Sequence, residues 1–461
     1  MFLPILLGLY FITPQKFRNF ILLIASLFFY AFGELQFLYL LLSVIIINYV
    51  FAILLHADPK SKKFTLILTL IINLGALFYF KYFAFLSNTY IAIRHLNAKP
   101  LDIVLPLGIS FYIFQALSYI IDVYRNTTKP QKNIFKFALY ICLFPQLVAG
   151  PIIKYHDIEN QLDTNSRVIE FDNLTIGVKR FIIGLSKKVL IANNIGLVVD
   201  KIFQQSPECL THYIVWLGAI AYTLQLFFDF SGYSDMAIGL GRIFGFKFME
   251  NFNYPFISKS ITEFWHRWHI SLSTWFKEYL YIPLGGNRCG LKRTVINLGI
   301  VFLLTGIWHG ANWTFLIWGI WHGTFIIFEK IINLKSIETR LNNKYFKYLQ
   351  HIYLILIVVC GFVIFRSDNL NYAFGYLGNM FYILQPDADK ILYSIKYYID
   401  SIDIIVLITA ILISTPIFKN IIYLENKIGK TLVNAWLLVL FILSASSIAA
   451  NSFNPFIYFR F

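Results

Sequence analysis

Ionisable side chains gather in one stretch of this chain, Ser260–Asn287, although the sequence around it is strongly apolar. The stretch contains six such residues: Glu263, His266, Arg267, His269, Lys277 and Glu278. Placing a charged side chain at membrane depth costs roughly 2.5–3.5 kcal/mol. In a membrane protein such a cluster therefore indicates a functional site. A second polar point follows at Gly306–Trp313, which contains His309.

His309 is the first candidate for a catalytic base. It ends an apolar run and precedes Gly310, so we expect it deep in a membrane-spanning element. A neutral imidazole can take a proton from a hydroxyl, and burial favours the neutral form. Asn312 follows three residues later, about 300° round a helix, so we expect it on nearly the same face. The alternative role for His309 is a hydrogen bond between helices.

His322 is the rival base. It lies thirteen residues after His309, which is about 220° round a continuous helix. The two rings therefore cannot share one face unless Gly310 breaks the helix. We expect a structural or supporting role for His322.

His266 and His269 are spaced as one turn of an amphipathic helix, with Glu263 three residues before His266. Zinc needs three or four ligands in closed geometry, and this spacing lacks the HExxH pattern. We therefore expect no metal. His269 either assists His309 through a hydrogen bond or anchors its own segment, and the sequence leaves both roles open.

Two carboxylates, Asp229 and Asp235, lie in an apolar frame with serines and glycines. This pattern suggests a helix broken at a polar cavity. Ion coupling in a transporter is one role for the pair. We favour structural pairing with a nearby cation, with three candidates: Arg242, Arg267 and Lys277.

A basic turn follows at Gly285–Arg288, with Lys292 beyond it. Arg288 and Lys292 either contact the phosphates of a nucleotide-bearing donor or mark a cytoplasmic interface. The usual glycine-rich phosphate loops are absent from the sequence.

The composition indicates what must position these residues. Of 461 residues, 58% are hydrophobic and 14% are charged, against roughly 45–50% and about 25% in soluble domains. The net charge of +15 comes from short connectors, which is typical of cytoplasmic loops rather than of a nucleic-acid surface. We predict an all-α polytopic membrane protein that contacts lipid and no nucleic acid.

The hydropathy pattern predicts about 11–13 transmembrane or partial helices. The apolar spans lie near residues 1–12, 17–32, 35–56, 64–86, 101–124, 134–150, 174–200, 212–240, 295–309, 311–330, 350–366, 402–421 and 432–450. We expect one domain over residues 1–461, with its catalytic core at about 101–332.

Three segments interrupt the spans. Residues 151–173 are polar and are predicted to form an exposed loop or an interfacial segment. Residues 367–401 form a long late connector rich in tyrosine. Residues 241–294 cannot face lipid, so they lie in the interface or enter the membrane surrounded by protein.

Together these residues resemble the membrane-bound O-acyltransferase family, in its bacterial branch of polysaccharide O-acetylation proteins. The matching segments cover most of the chain in the family's order: Leu105–Arg125, Leu143–Ile152, Phe228–Gly241, Phe248–Trp265, Arg267–Arg288, Gly306–Phe315 and Asn454–Phe461.

The resemblance implies roles for individual residues. His309 matches the histidine taken as the family's catalytic base, and His269 matches the second histidine of this branch. His266 stands where relatives commonly carry arginine. His322 matches a less central position. Four residues are candidate donors to the oxyanion: Asn312, Trp308, Trp313 and His269.

The resemblance also implies a reaction and its setting. Interfacial or re-entrant helices would surround a central tunnel through the bacterial cytoplasmic (inner) membrane. Acetyl-CoA would enter from the cytoplasm as donor substrate, with no permanently bound cofactor. The acetyl group would reach a polysaccharide directly or through an extracytoplasmic esterase-like partner. We expect peptidoglycan first and alginate second as the acceptor.

Two other classes of function remain open. In a transporter or flippase, Asp229 and Asp235 would couple ions and loss of His309 would be tolerated. In a membrane scaffold, the histidines would be replaceable, whereas residues 151–173 or 367–401 would not.

Overall fold

The structure is a computed structural model that describes residues 2–164, 167, 170–341, 343–391, 393–418, 427–450 and 456. Every regular element formed by these residues is helical. Apart from Phe456, the terminal motif Asn454–Phe461 lies outside them, as does the end of the predicted span 402–421.

The α-helices, numbered in chain order, are α1 Phe2–Ile12, α2 Arg18–Glu34, α3 Leu38–Ala57, α4 Lys62–Phe78, α5 Ala84–Ile93, α6 Ile109–Tyr124, α7 Ile134–Cys142, α8 Phe144–Leu147, α9 Tyr155–Ile158, α10 Phe171–Ser186, α11 Asn193–Phe203, α12 His212–Ile243, α13 Ile261–Arg267, α14 Ile270–Phe276, α15 Gly290–His309, α16 Trp313–Ile331, α17 Leu334–Leu341, α18 Lys344–Arg366, α19 Leu370–Met380, α20 Ile395–Tyr398, α21 Ser401–Ile413 and α22 Lys427–Ala450. Three π-helical turns adjoin them: Tyr79–Phe83, Lys187–Ala192 and Lys277–Tyr281.

Seven helical stretches of the described chain are long and apolar enough to cross a membrane. They are Gln15–Ala57, Lys62–Ile93, Phe171–Phe203, His212–Ile243, Gly290–His309, Lys344–Arg366 and Ile428–Ala450. Three shorter apolar helices accompany them: α1, α6 and α21. The prediction of an all-α, multi-pass integral membrane protein is confirmed.

Internal contacts divide the chain into two compact units. The first comprises residues 1–181 and 237–249, and the second comprises residues 182–236 and 250–461. All histidines discussed above lie in the second unit. The single domain over 1–461, its core at about 101–332 and the central tunnel stay predictions.

In the first unit the central element is α6, because 14 of its 16 residues are buried. An apolar helix buried all round needs its few polar groups satisfied by neighbours. The Tyr140 hydroxyl supplies one such contact by donating to the Gln115 carbonyl at 3.2 Å.

Two predicted spans of this unit are shorter than expected. In the span 101–124 the helix begins only at Ile109, after Pro106 and the left-handed Gly108 (φ 74°). In the span 134–150, α7 ends at Cys142 and a four-residue helix containing Pro145 follows. Proline lacks an N–H and clashes with the preceding turn, so it ends a helix that hydropathy alone would continue.

For the segment 151–173, the alternative of an exposed loop is wrong at its start, whereas the interfacial placement stays a prediction. Residues 151–155 are all buried, and Tyr155 packs its ring 5.2 Å from that of Tyr140. Residues 165, 166, 168 and 169 of this segment lie outside the described part of the chain.

In the second unit, the connector at 367–401 contains a packed helix, α19, rather than only loop. Its Tyr376 is fully buried and donates a hydrogen bond to the Val215 carbonyl at 2.7 Å. In the middle of the segment 241–294, Phe264 and His269 are both fully buried in protein, whereas residues 287–293 are exposed. Its placement relative to the membrane stays a prediction.

Candidate active site

Two closely packed helices bring His309 into the interior of the second unit. α15 and α16 approach at Gly306 and Gly319, where a Cβ on Gly319 would lie 2.4 Å from the Phe302 carbonyl oxygen. Small residues at such crossings allow backbones to approach closely. The contact places the last turn of α15, which ends with His309, against α16.

Asn312 does not share a helical face with His309, and that expectation is wrong. The chain leaves the helix at Gly310, which is extended (φ −176°, ψ 164°). Asn312 instead caps α16: its Oδ1 accepts from Thr314 N at 3.1 Å, and its Nδ2 donates to the Asp368 carbonyl at 2.9 Å. Both halves of the amide are therefore engaged in structure.

Three histidines and two tryptophans form a continuous series of ring contacts, which we name the His–Trp column. The ring centroids of His269 and Trp308 are 6.0 Å apart, and those of Trp308 and His309 are 5.0 Å apart. The Trp318 indole follows, 4.8 Å from His309 and 5.0 Å from His322. All five rings are at most 5% exposed. The column therefore keeps water from the imidazoles.

His322 lies one turn after Trp318 on α16. The helix break at Gly310 lets His309 reach the same Trp318 ring from α15, which is the condition under which the two histidines can approach. His322 is fully buried, and a Cβ on Gly361 would lie 2.8 Å from its Nε2. Within the described chain neither ring nitrogen of His322 has a hydrogen-bond partner. This environment positions a neutral ring but shows no group that would orient its proton.

His269 and His266 do not lie on one helix, so their predicted helical spacing is wrong. α13 ends at Arg267, Trp268 is extended, and His269 adopts a left-handed backbone (φ 45°, ψ 54°) before α14. His266 is exposed, whereas His269 is fully buried. A left-handed conformation costs a residue other than glycine about 1–3 kcal/mol and is concentrated at functional sites.

Asn251 fixes the tautomer of His269. The Ser271 backbone N–H can only donate, and it lies 3.2 Å from Asn251 Oδ1, so the amide oxygen faces this way. His269 Nδ1 is also 3.2 Å from that oxygen and must therefore carry the proton. The amide's Nδ2 donates to Ser234 Oγ at 3.1 Å. In neutral His269 the lone pair consequently lies on Nε2.

The sequence pattern of the membrane-bound O-acyltransferase family matches residues 131–365. The chain is 40% identical over 491 aligned positions to a probable alginate O-acetylase AlgI of Pseudomonas putida, covering 100% of this chain and 98% of that protein. The chain belongs to the membrane-bound O-acyltransferase family. The family resemblance drawn from the sequence is confirmed, and this protein is an O-acyltransferase.

The chain is also similar to two transferases that are named for other cell-envelope polymers. A peptidoglycan O-acetyltransferase of Helicobacter pylori is 39% identical over 347 positions, covering 68% of this chain and 65% of that protein. A teichoic acid D-alanyltransferase of Bacillus subtilis is 30% identical over 269 positions, covering 56% and 66%. The similarity to each of them covers less of this chain than that to the Pseudomonas putida protein.

The remaining candidate residues differ in burial and in their distance from His309. Trp308 lies in the column, whereas Trp313 is 46% exposed at the start of α16. Arg288 is exposed in the turn before α15, and Lys292 is exposed in its first turn. Seventeen residues of helix separate Lys292 from His309, which corresponds to about 25 Å along the axis. The basic turn and His309 therefore occupy opposite ends of one span.

Asp229 and Asp235 both form ion pairs, as we favoured from the sequence. Their partners are lysines of another segment and not the three cations named there. Lys188 Nζ lies 2.5 Å from Asp229 Oδ1, and Lys187 Nζ lies 2.7 Å from Asp235 Oδ2. The expectation of a broken helix around the carboxylates is wrong, because α12 is continuous from 212 to 243. The irregular turn lies in the partner segment instead, at the π-helical residues 187–192.

Sequence reasoning assigned no role to two residues of the candidate site. Asn251 lies eighteen positions before His269 and meets it only because the intervening chain folds back. Trp318 joins two histidines only because α16 turns back along α15. Both residues stood inside or beside matching segments, but nothing in one sequence distinguished them from packing residues.

Proposed function

We propose that this protein transfers acetyl groups from cytoplasmic acetyl-CoA across the bacterial cytoplasmic membrane, for O-acetylation of an extracytoplasmic polysaccharide. One observation carries the proposal. His309 lies buried in a column of rings together with His269, whose tautomer Asn251 fixes. Histidine is the commonest general base in proteins, and a dry, preorganised site strengthens its action.

In the proposed reaction His309 acts as the base. Its neutral imidazole removes the proton from an acceptor hydroxyl while that oxygen attacks the thioester carbonyl. The new C–O bond forms, the C–S bond breaks, and the proton passes from the imidazolium to the departing thiolate. Neither metal nor redox partner enters this balance.

Negative charge develops on the carbonyl oxygen during the attack and requires hydrogen-bond donors. Among the three candidates named beside His269, we favour the Trp308 indole, because its ring lies between His269 and His309. Asn312 is less suitable since it caps α16, and Trp313 is half-exposed. His269 then supports the site from the far side of Trp308.

The donor would approach from the end of the span that carries Arg288 and Lys292. Basic residues flank spans on the cytoplasmic side, and guanidinium and ammonium groups bind phosphates. A donor held there by its nucleotide must extend about 25 Å along α15 to bring its thioester to His309. A long, flexible thioester such as acetyl-CoA suits this geometry.

Both glycan classes named by the relatives stay candidate acceptors. Alginate is supported by similarity along the whole chain, and peptidoglycan by 39% identity over 68% of it. We further propose that an extracytoplasmic esterase-like partner completes the transfer. The transporter alternative is weakened because Asp229 and Asp235 are engaged with lysines on an unbroken helix.

The test is complementation of a deletion strain with wild type, His309→Ala and His322→Leu at matched protein levels. Acetate released by mild alkali is measured separately from purified peptidoglycan and from exopolysaccharide. We expect wild type to restore acetate in one fraction, His309→Ala to restore none, and His322→Leu to retain at least about a third of the wild-type level, because no hydrogen bond of His322 is lost.

Labelled acetyl-CoA supplied to inverted membrane vesicles tests the donor, with release of free thiol and incorporation of label as readouts. Full acetylation by a well-expressed His309→Ala variant would refute the assignment of the base. Release of ester-linked D-alanine instead of acetate would refute the proposed acyl group.

A further inference from the structure

Glu329 is a buried carboxylate of α16 that the proposed chemistry does not use. It is 5% exposed and accepts three hydrogen bonds from the start of α13. Its Oε1 accepts from Ile261 N at 2.5 Å, and its Oε2 accepts from Thr262 N at 2.9 Å and from Thr262 Oγ1 at 2.6 Å.

These contacts complete the cap of α13. The first N–H groups of a helix have no partner within the helix and must be satisfied from outside. Ser260 Oγ accepts from the third of them, Glu263 N, at 3.0 Å. The carboxylate of Glu329, on another helix, accepts from the first two N–H groups. The cap of α13 therefore also joins α13 to α16.

The same face of α16 that carries Glu329 also carries the column residues. Glu329 lies seven residues after His322 and eleven after Trp318, so all three fall within about 40° round the helix. α13 lies along this face. Its Trp265 ring is 5.5 Å from His322 and 5.7 Å from Trp318.

The chain then passes directly from α13 to His269. Only Trp268 separates the end of α13 from the left-handed backbone of His269. A seven-residue helix has too few internal hydrogen bonds to be stable alone. Its position, and that of the histidine it leads to, therefore depends on the groups that hold its first turn.

We propose that Glu329 is a positioning residue for acyl transfer. Its carboxylate clamps the first turn of α13 to α16 and thereby sets the places of Trp265 and His269 relative to the His–Trp column. Along α16 the clamp lies about 16 Å from Trp318, so Glu329 acts through α13 rather than on the reacting atoms. The catalytic part of this inference rests on the proposed function.

The test compares Glu329→Gln with Glu338→Gln. The amide keeps one oxygen but sets an NH2 group against N–H donors, so half of the clamp is lost. Glu338 is a matched control because it lies on α17, pairs with Lys259 at 3.9 Å and is partly exposed. In inverted vesicles with labelled acetyl-CoA, we expect kcat to fall at least tenfold for Glu329→Gln, with KM for acetyl-CoA within about twofold. The control stays at wild-type values.

A double variant separates positioning from general damage. If Glu329 acts through the segment that carries His269, Glu329→Gln should cost little further activity once His269→Ala is present. A full, multiplicative loss in that background would overturn the proposed route. An unchanged kcat for Glu329→Gln in an active protein would overturn the positioning role itself.

The clamp has a readout that requires no acyl transfer. Hydrogen exchange of peptides covering residues 258–270 should accelerate in Glu329→Gln and not in Glu338→Gln, while peptides of α15 stay unchanged. Unchanged exchange in 258–270 would overturn the clamp. If wild type transfers no acetyl, the proposed function fails, and this measurement still decides the clamp.

Discussion

At the scale of single residues, His269 depends on one amide. Asn251 Oδ1 receives the Nδ1–H of His269 together with the backbone N–H and hydroxyl of Ser271, and its Nδ2 donates to Ser234. This network fixes both the orientation of the ring and the nitrogen that carries its proton. The other ring nitrogen, Nε2, therefore carries the lone pair, on the side away from Asn251.

We predict that Asn251→Leu lowers kcat about 10–100-fold, by analogy with the loss seen when a group that orients a metal-binding histidine is removed. The side chain is similar in size but cannot accept the three donors. Leaving buried donors without an acceptor also costs about 1–3 kcal/mol, so the melting temperature should fall. Steady-state kinetics and thermal unfolding in detergent measure the two effects.

Asn253→Ala is the control for this prediction. Asn253 is exposed, and its contacts to Arg267 use backbone atoms. It should keep wild-type kinetics and stability. An Asn251→Leu variant with normal kcat would show that the tautomer of His269 is irrelevant to turnover.

The sequence selects candidate residues for the site but does not predict their environment. His309 and His269 were selected from their types, positions and the family resemblance. Sequence reasoning did not select Asn251 or Glu329, because a hydrogen bond between residues 18 or 68 positions apart leaves no local pattern in the sequence. Such contacts exist only after helices pack.

At the scale of elements, hydropathy located the spans and the end of α15 at His309, but not every break between helices. It could not tell that α13 stops before His269. That break depends on the local backbone conformation of Trp268 and His269. Two expected helical faces were therefore wrong: Asn312 does not share a face with His309, and His266 does not share one with His269.

The crossing of α15 and α16 gives a prediction at this scale. Gly319→Ala should strongly destabilise the protein and abolish most activity, because its Cβ would meet the Phe302 carbonyl oxygen at 2.4 Å. The two helices must separate to accept it, and His309 then moves away from Trp318. Thermal unfolding and acetyl transfer measure the loss.

Gly299→Ala is its matched control on α15. Nothing lies within 4 Å of a Cβ at this position. Alanine is favoured over glycine within a helix by about 0.5–1 kcal/mol, so this variant should be as stable as wild type or slightly more so. Equal melting temperatures for Gly319→Ala and Gly299→Ala would contradict the close crossing.

At the scale of the whole molecule, the direction of α15 assigns a side to His309. We predict that its basic end faces the cytoplasm and that its histidine end therefore faces outward. The loops around residues 204–211 and 366–369 lie with the histidine end, since Asn312 binds Asp368 and Arg366 pairs with Asp200 at 3.1 Å.

Two native cysteines test this orientation. Cys289 is exposed in the basic turn, Cys209 is partly exposed in the loop before α12, and Cys142 and Cys360 are buried. A membrane-impermeant maleimide should label Cys289 only in inverted vesicles and Cys209 only in right-side-out vesicles. Cys289→Ser and Cys209→Ser variants identify each signal. Labelling of both cysteines from one side would contradict the assigned direction.

The left-handed backbone of His269 has a practical consequence for chemical complementation. Glycine adopts positive φ readily, so His269→Gly relieves backbone strain while it empties the space of the imidazole. Most substitutions of a buried histidine remove the ring and also lower the stability of the protein. Here the emptied position has polar neighbours in Asn251 and Ser271, which makes it a ready host for free imidazole added from solution.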